Sequence, residues 1–317
     1  MFKKFNTKTL LIILVILGGI AAYSKYSSKK NENTFRDEFV KIDTSTVTQI
    51  LIYLKADKGK EIKITKVAAG WELQNDKIKT VADSNAIRSL LGNFVDVKSV
   101  SLAAADKSGW GEMQVTDTSG TRIKIITKDQ TYDMIIGKFG YDPSSRNGTT
   151  YIRHTNEEPV YSIEGFLSMS INQGFNSWRN RGFIHGNKDN WNNLTFTYPG
   201  DSSFVITKQN NAWMVNGDTA DSTKIVNYLN GLANMQSSGF VESYTPASTP
   251  VFTLSIQGNN QSAISVQAYA ADSTQKLILH SSQNADAYFS EAQSNIAGRI
   301  FVGKGSLLKG EEIVEKK

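Results

Sequence analysis

Cysteine is absent from the 317 residues, which removes disulfides, thiolate metal sites and cysteine nucleophiles together. Histidine is scarce: His154, His185 and His280 are the only three, and no two of them stand at the HExxH or any other helical ligand spacing. No G-x-S-x-G occurs, so the strained elbow that exposes a nucleophilic serine has no candidate. Five prolines, 24 glycines and 21% charged residues exclude collagen-like and low-complexity chains. What is plentiful is apolar material, 39% hydrophobic with 10% aromatic, enough to bury the cores of about two domains at roughly 150 residues each.

The net charge of +5 resembles that of a nucleic-acid binder until it is located. Lys3, Lys4, Lys8, Lys25, Lys29 and Lys30 stand in the first thirty residues without an acid, and the remaining 287 carry 29 basic and 30 acidic groups. A body with no net positive charge and no basic stripe lacks the clustered cations that bind a phosphate backbone, so no nucleic-acid partner is expected.

Between those lysines runs LLIILVILGGIAAY. The uncharged stretch begins near Leu10 and its helix can continue through the interface-type aromatics Tyr23 and Tyr26, at the short end of what spans a hydrocarbon core of about 30 Å. Gly19 and Ala21 offer a weak signal-peptidase site. We expect an uncleaved transmembrane helix with its N-terminus in the cytoplasm, membrane lipid as its partner from Leu10 to Tyr26, and SKYSSKKNEN as a tether.

Self-comparison finds a repeat. Ile64-Thr65-Lys66 followed by Gly70-Trp71-Glu72-Leu73 aligns with Ile206-Thr207-Lys208 followed by Ala212-Trp213-Met214-Val215. Further on, the helical faces Ile87, Leu90, Leu91, Phe94 and Ile225, Tyr228, Leu229, Leu232 share one spacing, that of a helix packed on a core. Asp83 and Asp221 or Ser222 are the N-caps. Period-two alternation around each helix predicts half-buried antiparallel strands, among them 47–54, 61–66, 71–74, 113–116, 122–127, 131–136, 150–153 and 160–163 in the first copy. The expected fold class is α+β: two tandem copies of a mostly antiparallel β-sheet module with one packed helix each, after an N-terminal transmembrane helix. The expected domains are residues 1–34 (anchor and tether), 35–177 and 178–303 (the two repeats) and 304–317 (a charged C-terminal tail).

Phe35-Arg36-Asp37, Gly70-Trp71-Glu72-Leu73, Trp110-Gly111, Ile135-Ile136-Gly137-Lys138, Thr150-Tyr151-Ile152-Arg153, Val160-Tyr161-Ser162-Ile163 and Trp178-Arg179 form a pattern over most of residues 1–185 that resembles the DUF4340 domain family. The leucine-aspartate that often follows the glycine near residue 111 is lacking. Members are typically membrane-anchored bacterial envelope proteins, often associated with ABC-type exporters. The resemblance implies a single-pass protein of the bacterial inner membrane with most of its chain in the periplasm, and ABC-type transporter subunits as partners. It carries no catalytic residues.

Each remaining candidate has a bland explanation. His154 and His280 fall at strand ends in near-equivalent places of the two copies, as structural residues would. Gly303-Lys304-Gly305-Ser306 imitates part of a phosphate loop without its glycine spacing and reads as a flexible exit. Asp37-Glu38, Glu157-Glu158 and Glu311-Glu312 are sequence neighbours whose side chains tend to diverge, unlike paired glycosidase carboxylates or calcium ligands. Trp71 and Trp213 match in position and are expected in the cores, while Trp110, Trp178 and Trp191 are less constrained. Asn147-Gly148-Thr149 and Asn193-Leu194-Thr195 fit the glycosylation pattern, which carries no weight in a bacterium. No catalytic, cofactor or metal residue is assigned. The expected function is that of a non-enzymatic accessory or assembly component of an ABC-type transport complex; the alternative is an envelope binding module for glycan, lipid or peptide, which Trp178, Trp191 and Tyr198 clustered in an open groove would favour.

Overall fold

The computed structural model describes residues 17–19, 37–143, 146–271 and 277–309. The anticipated span from Leu10 to Tyr26 lies outside them except for 17–19, as does the acidic pair Glu311-Glu312. Among the described residues no helix is long and apolar enough to cross a membrane. The chain divides into two compact units: one is Met1–Ile78 with Asn85–Gln173, the other Lys79–Ser84 with Gly174–Lys317. Both are mostly antiparallel sheet with few helices.

In the first unit the strands β1 (Glu38–Val40), β2 (Val47–Tyr53), β3 (Glu61–Val67) and β4 (Gly70–Gln74) precede the helix α1 (Ser84–Gly92). After it come β6 (Val97–Ala104), β7 (Thr121–Thr127), β8 (Thr131–Asp142), β9 (Asn147–His154) and β10 (Val160–Glu164), while β5 (Lys79–Val81) belongs to the second unit. The sheet order is β1-β6-β10-β9-β8-β7-β2-β3-β4. Strand register explains its core. Ile50 stands opposite Ile64 on one side and Ile125 on the other, and Ile52 opposite Ile62 and Ile123, so period-two alternation stacks isoleucines on one face. All of these are buried, as are Ile87, Leu90 and Leu91 on α1. Each contributes about 1.5–3 kcal/mol by leaving water.

A smaller cluster of Val115, Ile135 and Val160 is packed by Trp110, Met113 and Tyr151. Here the expected strand 113–116 is absent. A short helix α2 (Trp110–Met113) ends in left-handed Gln114, and the Val115 amide donates to the Trp110 carbonyl. The Met-Gln-Val-Thr alternation imitates a strand, but this segment passes directly over Gly137, where an added Cβ would stand 2.2 Å from the Met113 carbonyl oxygen.

The second unit contains β11 (Gly182–His185), β12 (Trp191–Thr197), β13 (Phe204–Gln209), β14 (Ala212–Val215), β15 (Asp218–Thr219), β16 (Asn234–Gln236), β17 (Phe240–Val241), β18 (Phe252–Gly258), β19 (Ile264–Ala270), β20 (Leu277–Ser281) and β21 (Tyr288–Ser290). Its main sheet runs β17-β21-β20-β19-β18-β12-β13-β14-β15, and β11 pairs with β16. The run β21-β20-β19-β18-β12-β13-β14 follows the same order of connections as β10-β9-β8-β7-β2-β3-β4 of the first unit. The hairpins agree in register too: Lys66 faces Trp71 and Ile64 faces Leu73, as Lys208 faces Trp213 and Ile206 faces Val215.

The short α3 (Leu167–Ile171) is the last helix of the first unit; the principal helix of the second, α4 (Ser222–Leu232), buries Ile225, Leu229 and Leu232 in one core with Leu194, Phe196, Ile206 and Val215. Asp221 caps it, accepting from the amides of Thr223 and Lys224. Short helices accompany these two principal ones: α2 and α3 lie with α1 in the first unit, and α5 (Glu291–Ser294) and α6 (Ala297–Ile300) with α4 in the second. At only four or five residues each, they are too short for a helical period to stand out.

Two chain segments are fastened alike within the second unit. Ala82 bridges to Arg179 and the Asp83 amide donates to the Trp178 carbonyl at 2.8 Å; Ala220 bridges to Leu308 and the Asp221 amide donates to the Leu307 carbonyl at 2.9 Å.

Candidate functional site

Two residues of the sequence pattern, Trp110 and Arg153, meet in the first unit. The Arg153 side chain is fully buried, with Nε donating to the Val115 carbonyl at 2.7 Å, Nη1 to the carbonyls of His154 and Thr155, and Nη2 to Asp117 Oδ1 at 3.0 Å. Trp110 covers the guanidinium at 3.6 Å and donates its indole N–H to the Glu158 carbonyl. Burial lowers the Arg153 pKa against the pull of Asp117, yet a guanidinium remains charged. These donors are spent on backbone carbonyls and on the Asp117 carboxylate, so the motif builds a joint between loops.

Beside the joint lies a polar groove of about 510 Å³ lined by Arg122, Tyr132, Asp133, His154, Thr155 and Glu157 among others. Asp133 accepts two bonds from Arg122, at 2.8 Å from Nε and 2.6 Å from Nη2, and one from Thr155 Oγ1 at 2.7 Å, with Lys124 3.5 Å away. Burial pushes its carboxyl up, but these bonds and charges together hold it below the usual range. Tyr53, whose ring lies 5.9 Å from the Arg122 guanidinium, is pushed up to about 12 by burial and by its bond to Glu61. A general acid or base works best with a pKa near the working pH. Both groups are moved away from it.

A second groove, of about 260 Å³, lies in the second unit between α4, the β13–β14 hairpin and the 3₁₀ turn Lys188–Asn190. Apolar Trp213, Ile225, Val226 and Leu229 line it together with charged Lys188, Asp189 and Lys208. Lys188 bonds Asp189 at 2.8 Å, and Lys208 Nζ lies 5.9 Å over the Trp213 ring. Hydrogen bonding to Lys188, with a smaller contribution from the Lys208 charge, lowers the Asp189 pKa.

The residues singled out from sequence are scattered. His154 stacks on Phe39 at 4.4 Å, His280 on Tyr288 at 4.8 Å, and exposed His185 ends β11. Among the described residues no group of three or more His, Asp or Glu is placed to hold a metal ion. Asp37 and Glu38 are exposed, and Glu158 pairs with Lys107 at 3.6 Å. Asn147 and Asn193 lie in β9 and β12. Gly303-Lys304-Gly305-Ser306 is no loose exit: residues Lys304–Leu307 form a 3₁₀ turn that delivers Leu307 into the core. Trp71 and Trp213 are half-buried beneath Lys66 and Lys208, and Trp213 packs against the core of the second unit. Trp178 and Trp191 are buried, and Tyr198 packs against the core with its hydroxyl on the Val302 carbonyl, so the three do not line an open groove. Tyr244, Tyr269 and Tyr288 do gather, but at mutual tilts of 55–59°, packing on one another instead of presenting a flat stacking face. The two grooves went unnoticed in the sequence, since their residues come from separated segments; for the second, the lysine preceding the hairpin tryptophan was the available signal.

Neither a curated protein nor a solved structure matches this chain. A family match does exist, and it centres later than the pattern over residues 1–185, taking in Trp110, Gly137, Arg153 and the second hairpin. The family described as a domain of unknown function, DUF4340, matches residues 75–255, more than half of the 317 residues, and the chain belongs to that family.

Proposed function

We propose that this chain is a non-enzymatic, membrane-anchored extracytoplasmic protein that assists or assembles an ABC-type transport complex of the bacterial envelope. In this reading the apolar run from Leu10 to Tyr26 is a single transmembrane helix in the inner membrane, and two tandem copies of one module extend into the periplasm. The observation that carries it is the common strand order of the two units, down to the Lys66–Trp71 and Lys208–Trp213 register. A doubled module offers a partner two related surfaces on one tether, and linkage raises the effective concentration of the second contact once the first is made. The use of Arg153 and Asp133 in internal bonds agrees with a scaffold. The transporter partner comes from the family resemblance.

Affinity purification of the intact protein from solubilised membranes tests this. Recovery of a permease and an ATPase in fixed proportion to the bait supports it; recovery of abundant bait with neither, under conditions that keep other transport complexes together, overturns it.

A further inference from the structure

The groove of the second unit differs from the corresponding place in the first in ways that matter to a ligand. Shared hairpin register matches Lys66 with Lys208 and Trp71 with Trp213, and the helical faces match Ile87 with Ile225. The residue after each isoleucine is then Arg88 in the first unit and Val226 in the second. Val226 is 45% exposed and lines the groove. A β-branched apolar side chain left in water on a groove wall gains by being covered.

The 3₁₀ turns differ as well. Asp43 caps Thr44–Thr46 by accepting from the Ser45 amide, and Asn187 caps Lys188–Asn190 by accepting from the Asp189 amide, so Lys188 stands where the first unit has Thr44. In the first unit Lys66 donates to the Ser45 carbonyl at 3.2 Å. In the second, Lys208 lines the groove with another lysine and one carboxylate, leaving one positive charge in excess beside its apolar side chains.

We propose that this groove binds a single-chain anionic amphiphile, the carboxylate of a medium-chain fatty acid, with its head between Lys188 and Lys208 and its chain along Trp213, Val226 and Leu229. Charge selects the head, because an anion there joins two cations while Asp189 offsets only one of them. Size selects a single chain, because about 260 Å³ lies just under the range of roughly 300–1,000 Å³ typical of sites for drug-sized ligands. The proposal is independent of the transport-complex reading, since every residue it uses lies in the second unit.

The test is equilibrium binding of labelled decanoate to the full chain in lipid nanodiscs, with empty discs subtracted. Saturable binding is expected, displaced by unlabelled decanoate and at least tenfold less well by decanol. Lys188→Gln and Lys208→Gln should each weaken it about tenfold, the loss of one charge-assisted hydrogen bond. Val226→Asp, which sets an anion beside the chain at an exposed position, should abolish it. No saturable component, equal competition by decanol, displacement by inorganic phosphate alone, or wild-type affinity in Val226→Asp would each overturn the proposal. Melting curves check that Val226→Asp is folded. If it is not, the Lys188→Gln/Lys208→Gln double variant decides, and unchanged affinity there overturns the proposal equally.

Discussion

Arg153 places its guanidinium over the Trp110 ring, the guanidinium carbon 3.6 Å from the ring centre, in a place where Arg153 has no exposed surface. The cation is therefore held by one ring, several backbone carbonyls and the rim carboxylate of Asp117. Replacing Arg153 with Met leaves buried carbonyl oxygens without donors and should cost about 3–5 kcal/mol in urea unfolding. Asp117→Asn should cost no more than about 1 kcal/mol, because the Asp117 side chain is 77% exposed and such pairs are well screened. Equal losses in the two variants would place the stabilisation in the ion pair instead of the carbonyl bonds.

Gly137 is required by packing. An added Cβ would lie 2.2 Å from the Met113 carbonyl oxygen and 2.6 Å from a Val115 methyl carbon, and the first of these is backbone. Gly137→Ala should destabilise the first unit by about 1–3 kcal/mol, as overpacking does. Gly111→Ala is the control: nothing lies within 4 Å of its Cβ, so its effect should stay within about 0.5 kcal/mol. Thermal melting of the two variants side by side distinguishes them.

Asp133 supplies a pH dependence whose sign follows from its lowered pKa. A carboxylate depressed in the folded state contributes its full stabilisation above the unfolded value of about 3.9 and loses it as pH falls below that toward the folded value. Asp133→Asn should therefore cost about 1.5–3 kcal/mol at pH 7, the worth of charge-assisted bonds, and the gap from wild type should narrow below about pH 4. Urea titrations at pH 7, 5 and 3 measure it. A gap that stays constant to pH 3 would assign the loss to shape instead of charge.

The helical faces were legible in the sequence because Ile87, Leu90 and Leu91, and likewise Ile225, Leu229 and Leu232, repeat at the period their burial requires. Tyr228 fell on the same face, but its hydroxyl is committed to the Ile300 carbonyl, a contact no local pattern encodes. Strand β6 was invisible for a clear reason. Its buried positions include Ser99, while Val100 is 55% exposed, so the apolar alternation is weak and partly inverted. Arg153 stood in a recognisable motif, yet its role as a joint depends on carbonyls of Val115 and Thr155 that only the fold brings together. The groove under Lys188 and Lys208 combines a turn, a hairpin and a helix, three segments whose adjacency is tertiary.

Leu307 tests the closure of the second unit. Its side chain is in the core and its carbonyl accepts from the Asp221 amide, while the Leu308 carbonyl accepts from Lys224 Nζ. Leu307→Ala should cost about 2–5 kcal/mol, as buried leucine truncations do. Exposed Lys309 should tolerate alanine, and comparable destabilisation by both variants would contradict the assignment of Leu307 to the core.

Removing residues 1–30 should leave both units folded while abolishing the cellular role. Folding should survive because the buried apolar residues identified in the two units begin at Phe39, and the deleted segment's run of Leu, Ile and Val suits lipid better than either sheet. Function should fail because a tether concentrates weak contacts near a membrane partner. The informative comparison sets the truncated chain, exported by a cleavable signal, beside the same chain on an unrelated transmembrane anchor. Rescue by the unrelated anchor alone would assign the segment a tethering role. Rescue by the freely exported form as well would make anchoring dispensable and count against the assembly reading. Rescue by neither would give the segment its own contacts with partner helices, for which Gly18, Gly19, Ala21 and Ala22 supply the small side chains that close helix packing in lipid needs.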